Sequence, residues 1–299
     1  PRPRPGPWPC RVPLPISDPM SIRDHLDIER LWRRGPVVPV LRFEGVIMPR
    51  ARLNGISLAS HGRAIERAFN LRGAVAVAIV INSPGGSPVQ SALLHRRIRQ
   101  LADEKAIPVV AFAEDVAASG GYWLALAGDE IFVEETSLIG SIGVISAGFG
   151  LGELIKRLGI ERRLYTAGTH KSLLDPFLPV DPDDVERLTG LQQDIHRAFK
   201  EHVRRRRGGR IDQADESLFN GDVLTGHMAA ERGLIDGIGE LRAVMRLRYG
   251  DKVRLRPVAT ERRRPLWGRL PFGAGEPLAA IADVAEWIEA RVLWGRYGL

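Results

Sequence analysis

The sequence predicts an α/β fold in which strands buried on both faces alternate with helices. From Pro36 onward, short β-rich apolar runs alternate with helical apolar patterns, as expected of a sheet covered by helices. The apolar runs are much shorter than the roughly 18 residues that indicate a membrane span, so we interpret them as buried strands. The 299 residues include 44% hydrophobic and 26% charged residues, which is typical of one large globular domain with appendages.

The predicted elements follow one another in a regular order along the chain. Asp181 followed by Pro182 is a typical helix start, because aspartate caps the first turn and proline fits its first position. The patterns predict strands at 37–46, 74–81, 108–113 and 130–133, and helices at 58–71, 89–102, 119–127, 151–158 and 183–207.

Changes in composition divide the chain into three parts. Residues 1–35 are predicted to be a partly disordered N-terminal extension, residues 36–258 the main domain, and residues 259–299 a linker followed by an amphipathic helix. We expect the apolar face of this helix to pack on the main domain or on another subunit, with a membrane surface as the alternative. The face is formed by Leu278, Ile281, Ala285, Ile288 and Val292.

The charge and the cysteine content exclude several classes of function. The net charge of +7 comes from arginine clusters without a zinc-finger, RNA-binding or Walker motif, so we predict a solvated basic surface and no specific nucleic-acid partner. The single cysteine, Cys10, cannot form an intrachain disulfide framework or a cysteine-rich zinc site. No metal or organic cofactor is predicted. Without a visible signal peptide or membrane span, the predicted location is cytoplasmic, with peripheral contact at the inner membrane as the alternative.

A glycine-rich segment, Asn-Ser-Pro-Gly-Gly at 82–86, follows a predicted buried strand. The ends of such strands commonly carry ligand sites in α/β proteins. Consecutive glycines let a substrate approach main-chain N–H groups, which is what an oxyanion hole requires. By itself, the same segment is also compatible with an ordinary turn.

The best candidate nucleophile is Ser119, which follows the next predicted strand and precedes an apolar helix. A helix start offers free N–H groups and partial positive charge to a developing oxyanion. Serine is equally common as a simple helix cap, so local sequence alone favours that structural role.

A serine nucleophile needs a base, and none of the seven histidines lies in a recognisable triad context. His170 is the one histidine that remains a candidate. Its neighbour Lys171 offers the alternative of a Ser-Lys dyad. Lysine acts as a base near neutrality only if burial and hydrogen bonding lower its usual pKa of about 10.4 by a few units.

Between residues 37 and 244 the chain resembles peptidase family S49, of the bacterial signal peptide peptidase type. Each motif is short, but their order and spacing together are specific. They are Asn-Ser-Pro-Gly-Gly at 82–86, Ala-Ser-Gly-Gly-Tyr at 118–122, Gly-Ser-Ile-Gly-Val at 140–144, Gly168 with Lys171 and Ser172, Pro176 with Phe177, Gly-Asp-Val-Leu-Thr-Gly at 221–226 with Ala230, and Gly-Leu-Ile-Asp at 233–236.

The resemblance implies a serine endopeptidase that cleaves remnant signal peptides or other short unfolded peptides through an acyl-enzyme. It assigns Ser119 as nucleophile and Lys171 as general base, with Ser141 supporting the lysine amine and Gly86 and Gly120 forming the oxyanion hole. It also implies the ClpP/crotonase-like spiral of β-β-α units and a homo-oligomer. Many members carry an N-terminal anchor, which this sequence does not show.

Two other functions are compatible with parts of the sequence. A crotonase-type acyl-CoA enzyme would share the fold but needs catalytic carboxylates, for which Glu114, Asp115 and Glu135 are the candidates. A non-catalytic scaffold could bind a membrane or partner protein through the arginine clusters and the C-terminal helix. Both alternatives leave the Ser119 and Lys171 motifs unexplained.

Overall fold

The computed structural model describes residues 35–49, 55–260 and 291–298, and its centre is an eight-stranded sheet. The strand order is β6-β5-β3-β2-β1-β8, while β4 pairs with β3 and β7. All pairs are parallel except β5 with β6. The strands are β1 (Val37–Glu44), β2 (Val77–Ser83), β3 (Val109–Ala118), β4 (Glu130–Val133), β5 (Leu138–Gly140), β6 (Val223–Thr225), β7 (Gly237–Ile238) and β8 (Arg254–Pro257).

Helices connect the strands, and polar caps fix where several of them begin. Ser57 and Ser60 form a reciprocal capping box, and Asp181 accepts a hydrogen bond from the N–H of Asp183 with Pro182 beside it, as the sequence predicts. Residues 291–295 are also helical. The helices are α1 (Leu58–Phe69), α2 (Pro88–Lys105), α3 (Gly120–Ala125), α4 (Gly152–Arg157), α5 (Pro182–Arg207), α6 (Gly226–Glu231) and α7 (Leu241–Tyr249), with 3₁₀ turns at Gly208–Arg210 and Glu216–Phe219.

Both faces of the sheet are buried, because successive side chains of the central strands point in opposite directions. On β2, Ile79 and Ile81 pack in the larger core with side chains of α1, α2 and α3. Ala78 and Val80 belong to a second cluster that includes Met245 of α7. The predicted α/β class with strands buried on both faces is therefore confirmed.

Strand β3 divides its pairing between two neighbours. Its residues 110–113 pair with β4, and its residues 116–118 pair with β5. The register with β2 also shifts between Ile81 and Ser83. The sheet consequently branches at the end of β3, which agrees with the predicted spiral of β-β-α units, and Ser119 follows directly after this branch.

The predicted strands and helices of the main domain are present, with bounds that differ by a few residues. Strands β5 to β8 and helices α6 and α7 were not predicted. Residues 1–34 of the extension predicted at 1–35 lie outside the described residues, as do residues 261–290, which include most of the predicted amphipathic face. Within the described part of that face, Val292 is exposed.

Candidate active site

Ser119 lies at a sharp turn between β3 and α3. Its main-chain N–H donates to the carbonyl of Gly140 over 2.8 Å, and its carbonyl accepts from Trp123 over 3.0 Å. These two bonds hold the serine at φ 52° and ψ −119°, a conformation that is costly for a residue with a side chain. Its hydroxyl makes no capping hydrogen bond, although Ser119 occupies the N-cap position. The Ser119 hydroxyl is thus not occupied in capping the helix, unlike the hydroxyl of an ordinary N-cap serine.

The glycine-rich segment after β2 lies against this turn. Ile47 donates to the carbonyl of Gly85 over 2.8 Å and accepts from Ser87 over 2.7 Å. In a parallel bridge of this kind the residues on either side of Gly86 make the bonds, so the N–H of Gly86 is not used in the pairing. Gly86 has φ +133°, and a Cβ atom here would collide with the Ile47 carbonyl, so only glycine fits.

The main-chain nitrogens of Gly86 and Gly120 lie close together beside Ser119. The Gly86 nitrogen is 3.4 Å from the position that a Cβ of Gly120 would take. A Cβ on Gly85 would lie 2.9 Å from both the Gly120 nitrogen and the Ser119 Cβ. Two main-chain donors beside a hydroxyl can stabilise the oxyanion of a tetrahedral intermediate. The structure therefore brings three of the five predicted site residues together.

Two fully buried serines support this arrangement, and neither was predicted from the sequence as a functional residue. The Ser83 hydroxyl accepts from the N–H of Gly85 over 3.2 Å, and the Ser91 hydroxyl donates to the carbonyl of Ser87 over 3.0 Å. A Cβ on Gly120 would be 2.5 Å from the Ser91 oxygen, so a larger residue there would displace the Ser91 hydroxyl. Ser83 directly precedes the Pro-Gly-Gly motif and Ser91 follows it by five residues, and this proximity was the available signal for them.

Ser141 lies on the other side of Ser119, immediately after β5. Gly140 accepts the hydrogen bond from Ser119, and the N–H of Ser141 donates to the carbonyl of Asp222 over 2.7 Å. Ser141 is half-buried and has φ 50°, so this turn is also strained. Its backbone places it next to the nucleophile turn.

Lys171 is exposed and is not brought to Ser119 or Ser141 by a contact. Its N–H donates to the carbonyl of Gly168, but its ammonium makes no hydrogen bond or ion pair with any residue that the structure describes. His170 beside it is also exposed. The described residues therefore place Ser119 beside Gly86 and Gly120, whereas Lys171, the predicted base, is exposed to solvent.

Large apolar side chains are exposed in the segments that precede and follow Lys171 in the sequence. Phe149 is 81% exposed and Tyr165 is 90% exposed, which is unusually high for aromatic side chains in a folded protein. We call this set the apolar flank, and its members are Ile145, Phe149, Leu154, Leu158, Ile160, Tyr165, Val180 and Leu191. Such a flank is typical of a protein interface.

The carboxylates proposed for the acyl-CoA alternative are engaged elsewhere. Glu114 forms an ion pair with Arg42, and Asp115 accepts from the Asn82 amide over 2.6 Å. Asn82 also accepts from the N–H of Val116, so it joins the ends of β2 and β3. These contacts give Glu114 and Asp115 structural roles, while Glu135 is exposed.

Comparisons with known proteins identify the relatives of the chain. The model of the family described as peptidase family S49 matches residues 102–253. The Na(+)/H(+) antiporter NhaA of Brucella abortus (strain 2308) is 47% identical over 274 residues, covering 88% of this chain and 37% of that protein. The chloroplastic serine protease SPPA of Arabidopsis thaliana is 38% identical over 167 residues, covering 56% of this chain and 24% of that protein. The chain thus spans about a third or less of the length of these two relatives.

None of the helices among the described residues combines the length and the apolar content that a bilayer crossing needs.

Proposed function

Because the chain belongs to peptidase family S49 and is a serine peptidase, we propose that it hydrolyses remnant signal peptides or other short unfolded peptides with a Ser119–Lys171 dyad. The observation that carries this proposal is the presented hydroxyl of Ser119 beside the N–H groups of Gly86 and Gly120. Short peptides suit a site built at a strand end, where an extended substrate can pair with the backbone.

In the proposed mechanism, the neutral amine of Lys171 takes the proton of the Ser119 hydroxyl as its oxygen attacks the scissile carbonyl carbon. The oxyanion that forms accepts hydrogen bonds from Gly86 and Gly120, and one such donor can be worth about 3 kcal/mol. The intermediate then collapses, the lysine returns the proton to the departing amine, and an ester on Ser119 remains. Water activated by the same amine hydrolyses this ester, while Ser141 orients the lysine.

The exposure of Lys171 makes the dyad dependent on a covering surface. A solvated ammonium holds its proton, whereas removal from water favours the neutral amine that the mechanism needs. The apolar flank surrounds Lys171 in the sequence, so a neighbouring copy that covers the flank would also dehydrate the lysine. We therefore propose that the active form is a homo-oligomer.

The test is hydrolysis of a fluorogenic signal-peptide-like substrate by the intact protein and by Ser119→Ala and Lys171→Ala variants. Both variants should lose activity by at least a thousand-fold while circular dichroism shows an unchanged fold. Lys156→Ala is the matched control, because Lys156 is also exposed and pairs only with Glu153 on α4. Full activity of Lys171→Ala would reject the proposed base and make His170 the next candidate.

The likeness to a protein named as an antiporter supports a second proposal, that this peptidase works at a membrane beside an ion transporter. Its test is fractionation of cells that express the tagged chain, followed by cross-linking and mass spectrometry. Recovery with the membrane fraction and a cross-link to a transporter are expected. Recovery entirely in the supernatant, with no such cross-link, would reject this partner and leave the peptidase assignment unaffected.

A further inference from the structure

A cavity of about 400 Å³ lies between α2, α3 and α5, and no residue proposed for catalysis lines it. Helix α2 contributes His95, Arg96, Arg99 and the carboxylate of Asp103, α3 contributes Trp123, and α5 contributes His202 and Arg205. A volume of this size accommodates a small organic molecule. Its lining combines aromatic rings with three guanidinium groups, which is unusual for a cavity that is only a packing defect.

The aromatic side of the cavity is rigid. The Trp123 ring stacks on His202 with centroids 4.7 Å apart and an interplanar angle of 16°, and His95 meets His202 edge-on at 4.3 Å. Burial lowers the pKa of His95 to about 3 and that of His202 to about 4, so both rings are neutral at neutral pH. The histidines therefore contribute shape and hydrogen-bonding groups without adding positive charge.

His202 carries a buried donor that lacks an acceptor. Its Nδ1 lies 3.2 Å from a guanidinium nitrogen of Arg205, and because arginine only donates, Nδ1 accepts and Nε2 carries the proton. His202 is 3% exposed, yet its Nε2 has no hydrogen-bond partner among the residues that the structure describes. A buried N–H without a partner is costly and is rarely left so in a folded protein. The Nε2 atom has almost no accessible surface, so an oxygen atom in the cavity would supply the missing acceptor only after a shift of the side chains that line it.

The arginines leave the cavity with uncompensated positive charge. Arg99 is neutralised by Asp103 and Asp129, each 2.8 Å away. Arg96 and Arg205 have no carboxylate partner in the described part of the chain, and both are exposed at the cavity mouth. Two guanidinium groups without a carboxylate partner, beside a third that is paired, favour an anion with several oxygen atoms, because a planar guanidinium can bind two of them.

We propose that this cavity binds a phosphate-bearing anion, with Arg96 and Arg205 on the phosphate oxygens and the Trp123 wall against an apolar or planar remainder. The phosphate could belong to a soluble phosphate monoester or to a lipid headgroup, since both present the same oxygens to the arginines. Trp123 donates its N–H to the carbonyl of Ser119, so the bound anion would contact the helix that begins at the nucleophile turn.

The first arm of the test is titration of the intact protein with phenyl phosphate, followed by calorimetry in a buffer without phosphate. Arg96→Gln and Arg205→Gln should each weaken binding by about ten-fold. Arg97→Gln is the matched control, because Arg97 lies on the same helix, does not line the cavity and pairs with Glu66. An equal loss in all three variants would reduce the effect to general surface charge and overturn the site.

The second arm replaces phenyl phosphate with sedimentation on vesicles of phosphatidylcholine containing phosphatidylglycerol, against pure phosphatidylcholine. Binding to the anionic vesicles that Arg96→Gln and Arg205→Gln weaken, with no binding of phenyl phosphate, identifies a lipid headgroup. Binding of phenyl phosphate alone identifies a soluble ligand. If the intact protein binds neither probe, the proposal is wrong, whatever its peptidase activity.

Discussion

Ser119, the proposed nucleophile, has a strained backbone conformation. Its φ of 52° is held by a hydrogen bond to Gly140 on one side and by the first turn of α3 on the other. Strain of this kind costs on the order of 1–3 kcal/mol and persists only where the surrounding structure enforces it. The same conformation directs the hydroxyl away from the helix end that it would otherwise cap.

Two substitutions that both remove the hydroxyl can measure this strain. Ser119→Gly should be more stable than Ser119→Ala by about 1 kcal/mol, because glycine adopts the conformation at Ser119 without a Cβ penalty. The measurement is the urea midpoint of the two inactive variants. At an unstrained position alanine is the more stable of the two, so that order would show that the turn relaxes in solution.

At the level of single residues, the sequence was sufficient to predict that two residues lie close together where they follow neighbouring strands. Ser119 and Gly86 follow β3 and β2, which are adjacent, so their proximity could be predicted from strand order. The position of Lys171 could not, because a chain segment without regular hydrogen bonding to the sheet separates it from β5. Lys171 is exposed in the single chain, so its burial would need a covering surface, and no local sequence pattern predicts such a surface.

Helix α5 shows how one element is fixed to the rest of the protein. Arg207, near its end and 3% exposed, donates to both carboxylate oxygens of Asp236 over 2.8 and 3.1 Å and to the carbonyl of Gly233 over 2.8 Å. Asp236 in turn accepts from the N–H of Ile131 in β4. The pair therefore ties the end of a 26-residue helix to the branch of the sheet.

Removing this arginine should destabilise the protein strongly. Arg207→Gln leaves Asp236 without its main partner, and losing one member of a buried pair costs about 3 kcal/mol or more. Arg197→Gln, which affects an exposed pair with Asp194 on the same helix, should change the free energy of unfolding by less than about 0.5 kcal/mol. Chemical unfolding compares the two, and equal effects would contradict a structural role for the buried pair.

Three buried histidines, His61, His95 and His202, should make the stability of the protein depend on pH. The unfolded chain protonates its histidines near pH 6.5, whereas burial holds the pKa of His95 near 3 and those of His61 and His202 near 4 in the fold. Between these values the unfolded state binds more protons. The free energy of unfolding therefore falls as the pH is lowered, by about 1.4 kcal/mol per pH unit for each histidine that stays neutral.

Urea midpoints at pH 7 and pH 5 measure this dependence. The midpoint should be lower at pH 5, and His202→Gln should show a smaller difference between the two conditions. Carboxylates such as Asp175 and Asp215, whose pKa is lowered by arginine and other hydrogen-bond donors, lose their contribution at lower pH and leave this window clear. Equal midpoints for the intact protein would show that the histidines are not shielded from water.

The longest predicted elements show a clear period. Helix α2 spans 18 residues and β2 spans seven, so their apolar patterns are unambiguous. Strands β5 to β8 have two to four residues each, too few for an alternation to be recognised. They form where neighbouring strands offer unpaired edges: β5 beside β3, β6 beside β5, β7 beside β4 and β8 beside β1. This cause is tertiary.

At the scale of the whole molecule, the apolar flank is the surface that a single chain leaves unexplained. Eight large apolar side chains between Ile145 and Leu191 are more than half exposed, and together they would favour association in water. We expect the intact protein to sediment as a species larger than one 33.0 kDa chain.

A double substitution tests the flank directly. Phe149→Ser with Tyr165→Ser should shift the protein towards single chains and reduce peptide hydrolysis, because Lys171 would remain in water. Leu247→Ser is the matched control, since Leu247 of α7 is 92% exposed but lies outside the flank. Sedimentation velocity measures the change. An intact protein that already sediments as a single chain would contradict assembly through this surface.

The proposed oxyanion donors of Gly86 and Gly120 are main-chain N–H groups, so no side-chain substitution deletes them. A Ser119→Ala protein would consequently still bind a peptide carbonyl but would not hydrolyse the peptide. This inactive variant can be immobilised on a resin for affinity capture. The peptides that it retains from a cell extract would identify candidate substrates of the active protein.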